Sequence, residues 1–134
     1  MNKHKLPQEN KFGIIATIAT ILMLVGGAYF FTKPEKPVVI PEKEAGSYEY
    51  FWGNGCPHCA AVQEFYDKWE KKDMVKIKKF EVWYDKSNAK IMEERFNKCN
   101  PVPPKSEMAV PFLVTPDGKC LIGDTPIIEH YKSL

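Results

Sequence analysis

Two cysteines and the residues between them, Cys56-Pro57-His58-Cys59, are the part of this 134-residue chain whose types and spacing could do chemistry. Two thiols three positions apart can close a tight disulfide and reopen it, a two-electron reaction that the side chains carry out by themselves. The flanking residues say how such a pair would be held. The run Tyr48-Glu49-Tyr50-Phe51-Trp52 reads as a strand, and Gly53-Asn54-Gly55 breaks it. Val62, Phe65, Tyr66 and Trp69 then recur at helical spacing, in a helix expected to end near Lys72. The pair therefore falls where a strand turns into the first turn of a helix. There, unpaired backbone N–H groups and the positive end of the helix dipole favour a thiolate. Pro57 suits the first helical position, where its missing N–H costs nothing. His58, when protonated, adds positive charge beside Cys56 and favours the thiolate further; the plainer reading is a solvated loop histidine. An acidic thiol of this kind stabilises the reduced form, which makes the disulfide a stronger oxidant. Cys56, expected to be exposed at the cap, reads as the nucleophile and Cys59, shielded by it, as the resolving thiol.

Other uses of the cysteines have their own requirements. Tetrahedral zinc sites usually come as two close pairs, whereas the remaining cysteines, Cys99 and Cys120, are 21 apart and would have to converge in space. Haem attachment needs a histidine directly after the second cysteine, and Ala60 stands there. For Cys99 and Cys120 three readings stand: a structural disulfide tying a proline-rich loop to a hairpin, two buried free thiols, or a relay pair for Cys56 and Cys59. His4 and His130 are isolated and read as surface positions. The formal charge is +2, and from Gly46 onward the chain carries 13 Lys or Arg against 13 Asp or Glu. That balance offers no basic stripe for nucleic acid, and the lysines at 71, 72, 76, 78 and 79 read as a solvated face.

The elements that must position the cysteines follow in order. Residues 75–84 are rich in β-branched and aromatic types and read as a strand, the central parallel partner of the first, with a bulge or an early helix-to-strand junction where the alternation shifts between Ile77 and Phe80. Asp85-Lys86-Ser87-Asn88 has the chemistry of a helix cap, and Ala89, Met92, Phe96 and Cys99 repeat as one helical face. Residues 100–107 hold three prolines and read as a loop. Residues 108–114 and 119–123 are short apolar strands around Thr115-Pro116-Asp117-Gly118, which makes a hairpin. Asp124 is placed to cap a last helix carrying Ile127, Ile128 and Tyr131. The order is β-α-β-α-β-β-α, an α/β domain of about 90 residues, enough for a modest core.

A strand, then Cys-Pro-His-Cys, then a helix resembles the thioredoxin superfamily, and the Pro-His dipeptide is the one typical of DsbA-like oxidants. The resemblance spans residues 47–134. It implies a thioredoxin-like fold and a second signature in the proline directly before the third strand. Val110-Pro111 would then be a cis peptide bond packed against the cysteine pair, at a cost of only about 0.5–1 kcal/mol for an X–Pro bond; the plainer reading of Pro111 is a proline opening an edge strand. The Val110 backbone would offer hydrogen bonds to an extended substrate strand beside the disulfide. The resemblance further implies a buried acid beneath the pair that takes a proton from the resolving thiol. Glu49 is the candidate, one place off the usual offset, and Glu81 is the alternative; a plainer reading leaves either as a strand-edge carboxylate facing water. Between Cys59 and Pro111 lie 51 residues, too few for the helical insertion that covers the DsbA groove, so partner specificity is not implied. What is implied is a protein thiol–disulfide oxidoreductase with no cofactor, recycled by a redox partner at the membrane. A reading from another class is a tethered copper or zinc module using the same cysteines.

The N-terminal region is organised differently. Residues 1–12 form a short polar tail with Lys3, Lys5 and Lys11, and residues 13–31 run nineteen long without a charge. As a helix that run is roughly 28 Å long, close to the ~30 Å hydrocarbon core of a bilayer. Tyr29, Phe30 and Phe31 fit an interfacial aromatic belt. A retained single-span anchor is expected rather than a cleaved signal peptide, because the aromatics continue the run past the small residues Gly26, Gly27 and Ala28. Three lysines stand on each side of the span, so the positive-inside rule is undecided on counts. The short tail with early lysines favours the cytoplasmic membrane with the C-terminal domain on the extracytoplasmic side. Residues 32–45, with Pro34, Pro37 and Pro41 among Glu and Lys, read as a semi-stiff linker, and 46–134 as the folded domain.

Overall fold

The computed structural model describes residues 8–32 and 37–134, with side chains from Phe12 onward. The tail lysines Lys3 and Lys5, and residues 33–36 with Lys33, Pro34 and Lys36, lie outside the described residues. The chain divides into two units, Met1–Pro37 and Val38–Leu134.

Among its described residues the first unit holds one helix, α1 (Gln8–Phe31). It starts five residues earlier than the apolar run, since Gln, Glu and Lys are good helix formers and nothing in residues 8–12 breaks the backbone pattern. Within it Phe12–Phe31 has a mean hydropathy of 2.2, long and apolar enough to cross a membrane. Ile14, Ile18, Leu22 and Val25 are exposed, as are Ile15, Met23 and Phe30 on other sides of the helix.

The second unit is mixed α/β. Its elements are β1 (Ser47–Trp52), α2 (Pro57–Lys68), β2 (Lys76–Glu81), α3 (Lys86–Asn97), β3 (Phe112–Val114), β4 (Cys120–Ile122) and α4 (Asp124–Ser133). Single 3-10 turns cover Lys72–Met74 and Lys105–Glu107. The four strands lie in the order β2-β1-β3-β4, with β1 parallel to β2 and antiparallel to β3. β1, not β2, is therefore central. Five of its six residues are buried, whereas Lys76, Lys78, Lys79 and Glu81 give β2 the charged character of an edge. The expected bulge in β2 is absent: the pairing runs unbroken from Ser47 opposite Lys76 to Trp52 opposite Glu81.

Strand side chains alternate between faces, and β1 divides the core accordingly. Tyr48 and Tyr50 pack with Val62 of α2, Leu113 of β3 and Ile127 and Tyr131 of α4. Phe51 packs on the other face with Phe112, Val114 and the α3 residues Ile91, Met92 and Phe96. Phe80 of β2 stacks on Phe51, with ring centroids 5.0 Å apart. α2 stops at Lys68, four residues short of expectation. Trp69 leaves the helical backbone there, and its ring lies 5.2 Å from that of Tyr131.

The second half of the expected linker belongs to the domain. Ile40 packs against the α3-face core, Lys43 Nζ donates to the Ser47 carbonyl at 2.7 Å, and the Glu44 carboxylate pairs with Lys76 and Lys78 of β2. The charges that made this stretch look solvated are the groups that attach it. The Lys76 hydrogen bond, and after it that of Lys78, holds the Glu44 carboxyl down to about 2 from an ordinary 4.5. A depressed carboxyl contributes stability that is full above its unfolded value and lost as pH falls through its folded one. Stability in denaturant is thus expected to fall between about pH 4.5 and 2, and to fall less across that window in Glu44→Gln. Superimposable acid profiles for the two proteins would contradict this pairing.

Candidate active site

The cysteines sit where β1 hands over to α2. The Gly53 carbonyl accepts a hydrogen bond from Cys56 N at 3.1 Å and so closes the turn. Gly55 adopts φ +85, which a side chain would oppose. A Cβ on Gly53 would meet the Trp83 ring at 2.3 Å, so only glycine allows that ring to lie against the loop. The Glu81 carboxylate at the end of β2 accepts from Asn54 N at 3.2 Å, and from the backbone N–H groups of Trp83, Tyr84 and Asp85. Desolvation alone would raise its carboxyl, but these four donors hold it below the usual carboxylate range. Glu81 thus fastens the loop before Cys56 to β2. Sequence reasoning offered it as a proton acceptor; an acid whose acceptor positions are filled by backbone donors does not suit that task.

Cys56 is the cap of α2, with Pro57 in the first turn. Its Sγ accepts a hydrogen bond from Cys59 N at 3.2 Å and lies 3.9 Å from the Val110 carbonyl oxygen. Val110–Pro111 is a cis peptide bond, and the Pro111 carbonyl accepts from Gly123 N at 2.8 Å. Both cysteines are free thiols. Cys56 is not the exposed cap expected of it: only 6 % of its surface is accessible, because the sulfur turns in onto the helix N–H and the Val110 carbonyl. It is reached through a cleft of about 510 Å³ that it lines with Tyr50, Trp52, Pro57, Cys59 and Lys79. Burial pushes the Cys59 thiol up to about 12, and the hydrogen bond with Cys56 adds to this; the Gly53 backbone and the Tyr50 hydroxyl act in the opposite direction.

His58 is 70 % exposed and leans away over α4, with Nδ1 3.0 Å from Asp124 Oδ2. That hydrogen bond is the first cause holding Asp124 below the usual carboxylate range. An ionised carboxylate only accepts, so Nδ1 carries the proton. Asp124 does not cap α4 as expected. Gly123 occupies the cap position, and Asp124, first in the helix, bonds Thr125 N and His58 instead. His130, expected at the surface, is half-buried with Nε2 3.2 Å from the Tyr48 hydroxyl. Burial holds its imidazole below the ordinary value.

Glu49 is not beneath the cysteine pair. It alternates with Tyr48 and Tyr50 along β1, so it points to the α3 face while α2 covers the other. Nor does it face water: it is 2 % exposed and held by Arg95, with Nε 2.7 Å from Oε2 and Nη2 3.2 Å from Oε1. Arg95 Nη2 also donates to the Pro41 carbonyl at 2.6 Å. The residue that does lie beneath the pair is Tyr50, which sequence reasoning used only as part of an aromatic strand. Its hydroxyl is 3.4 Å from the Cys59 carbonyl oxygen. The signal was its place in the alternation, one residue on from Glu49.

Cys99, just beyond α3, and Cys120, opening β4, are joined by a disulfide with Cα atoms 5.8 Å apart. With a sequence separation of 21, opening it in a Cys99→Ala/Cys120→Ala double variant is expected to cost about 3 kcal/mol by the chain-entropy estimate. An unchanged denaturation midpoint would show that the bridge does not restrain the unfolded chain. Among the described residues, no group of three or more His, Cys, Asp or Glu side chains is arranged to hold a metal ion.

No protein-family model matches the chain, and no curated protein or solved structure matches it either.

Proposed function

We propose that the chain is a membrane-anchored protein thiol–disulfide oxidoreductase whose C-terminal domain has a thioredoxin-like fold. The observation that carries this reading is the position of the Cys56 sulfur. It lies between the Cys59 N–H and the carbonyl of a cis Val110–Pro111 bond, at the head of a helix and on the wall of a cleft. In the oxidising direction a substrate thiolate attacks the Cys56 sulfur of the disulfide and Cys59 leaves with the electron pair. A second substrate thiol then attacks the mixed disulfide and takes the product disulfide away. In the reducing direction Cys56 attacks first, and Cys59 resolves the mixed disulfide. The Val110 backbone is the natural partner for an extended substrate segment. A redox partner at the membrane returns the pair to its starting state.

Two further observations support the setting. The Cys99–Cys120 disulfide suits an oxidising compartment, which favours the extracytoplasmic side of the cytoplasmic membrane. α1 carries a span suited to anchor the domain there. The copper or zinc reading would have to be built on two sulfurs, since Cys99 and Cys120 are spent on each other. The test is turnover by the full-length chain in detergent micelles, with insulin as disulfide substrate and a dithiol peptide as thiol substrate. Catalysed exchange in at least one direction is expected. Exchange no faster than the uncatalysed background, or tightly bound metal that blocks both thiols, would overturn the reading.

A further inference from the structure

Exchange through Cys56 puts negative charge on the Cys59 sulfur in either direction, as the leaving group from the disulfide or as the attacker of a mixed disulfide. Cys59 is 4 % exposed, and a buried thiolate is costly unless something donates to it. No carboxylate lines the cleft that holds the two sulfurs, and its one charged lining group, Lys79, donates to Gln63 Oε1 at 2.7 Å. Glu49 is on the opposite face of the sheet, bound to Arg95, and Glu81 is engaged by four backbone donors.

Tyr50 is what the central strand does present there. The ring is buried and lines the cleft with both cysteines. Its hydroxyl lies 3.4 Å from the Cys59 carbonyl oxygen, long for an O–H···O bond, and such a hydroxyl rotates to suit a better acceptor. Burial first, then the neighbouring Cys59, pushes its ionisation far above the ordinary tyrosine value. The group stays protonated, so it donates and does not act as a base.

We propose, on the oxidoreductase reading above, that Tyr50 is the positioning donor that stabilises the Cys59 thiolate. When a substrate thiolate forms its bond to Cys56, the Cys56–Cys59 bond breaks, the electron pair stays on Cys59, and the Tyr50 O–H turns to that sulfur. The thiolate then takes a proton from water in the cleft. In reverse, Cys59 gives its proton to water or hydroxide, attacks the Cys56 sulfur of the mixed disulfide and releases the substrate thiolate. No side-chain base takes part.

The resolving step can be isolated with the full-length reduced chain and one equivalent of 5,5′-dithiobis(2-nitrobenzoate). The first thionitrobenzoate leaves as Cys56 is capped, the second as Cys59 attacks. In wild type the second phase is expected to quicken about tenfold per pH unit from about pH 6 to 9, tracking the thiolate fraction of a weakly acidic thiol. Tyr50→Phe should slow it about tenfold at each pH, the scale of one lost hydrogen bond to a charged group. The equilibrium constant with glutathione should change less than about twofold, because reduced Cys59 is a neutral thiol in both proteins. A merely structural disturbance would move that constant too and would overturn the proposal, as would a second phase within twofold of wild type. Should Tyr50→Phe fail to fold, Tyr50→3-fluorotyrosine, a stronger donor of similar size, must quicken the phase; an unchanged rate overturns the proposal. Loss of the second release in wild type would instead defeat the oxidoreductase reading itself.

Discussion

Cys59→Ser is expected to hold the chain in covalent complexes with its partners, linked through Cys56, while Cys56→Ser captures none and loses exchange activity by on the order of a thousandfold or more. The asymmetry follows from position. The Cys56 sulfur lies 3.9 Å from the Val110 carbonyl oxygen, where an extended segment would meet it. Cys59 sits three residues into the helix with its N–H on the Cys56 sulfur, placed to attack that sulfur. Without Cys59, a mixed disulfide at Cys56 has no intramolecular thiol to resolve it, because Cys99 and Cys120 are bonded to each other. Non-reducing electrophoresis followed by mass mapping of the captured bond reads the result. Equal capture by both variants, or capture through Cys59, would contradict the assigned roles.

Glu49→Gln is expected to cost about 3–5 kcal/mol of stability, the scale for removing one partner of a buried ion pair. The Arg95 guanidinium would keep its charge in a site where it is 6 % exposed and has lost the carboxylate it bonds twice, leaving it the half-exposed Glu94 carboxylate at 3.6 Å. A domain of this size holds only about 5–15 kcal/mol in total, so the loss is severe. Replacing both partners, Glu49→Leu with Arg95→Met, should be milder, because no charge is left buried. Any Glu49→Gln protein that folds should keep the wild-type pH profile of the resolving step. Denaturant midpoints for the three proteins decide the matter. A Glu49→Gln midpoint equal to wild type, or an altered resolving profile, would contradict a purely structural role.

Local chemistry was legible in the chain. The glycine-rich break before Cys56, the proline after it, the Asp85 cap and the Pro116-Asp117-Gly118 turn act within a few residues of themselves. The Asp85 carboxylate accepts from Ser87 N at 2.8 Å and Asn88 N at 3.1 Å, as its position next to a helical repeat led one to expect. What was illegible depends on pairings far apart in sequence. Glu49 finds Arg95 46 residues away, and His58 finds Asp124 66 away. A one-residue uncertainty of register decides whether Glu49 or Tyr50 lies under the cysteines, since neighbouring strand residues point to opposite faces. Residues 38–45 misled for a similar reason. Lys43 and Glu44 read as part of a linker until a carbonyl and two lysines of β2 are placed beside them.

The most direct measurement is a redox titration of the full-length chain in glutathione or dithiothreitol buffers, with the state of each cysteine mapped by alkylation and mass spectrometry. One two-electron transition confined to Cys56 and Cys59 is expected, at a potential between about −120 mV, the range of an oxidant, and about −270 mV, that of a reductant. Cysteines 56 and 59 that remain separate thiols under all these buffers would contradict it.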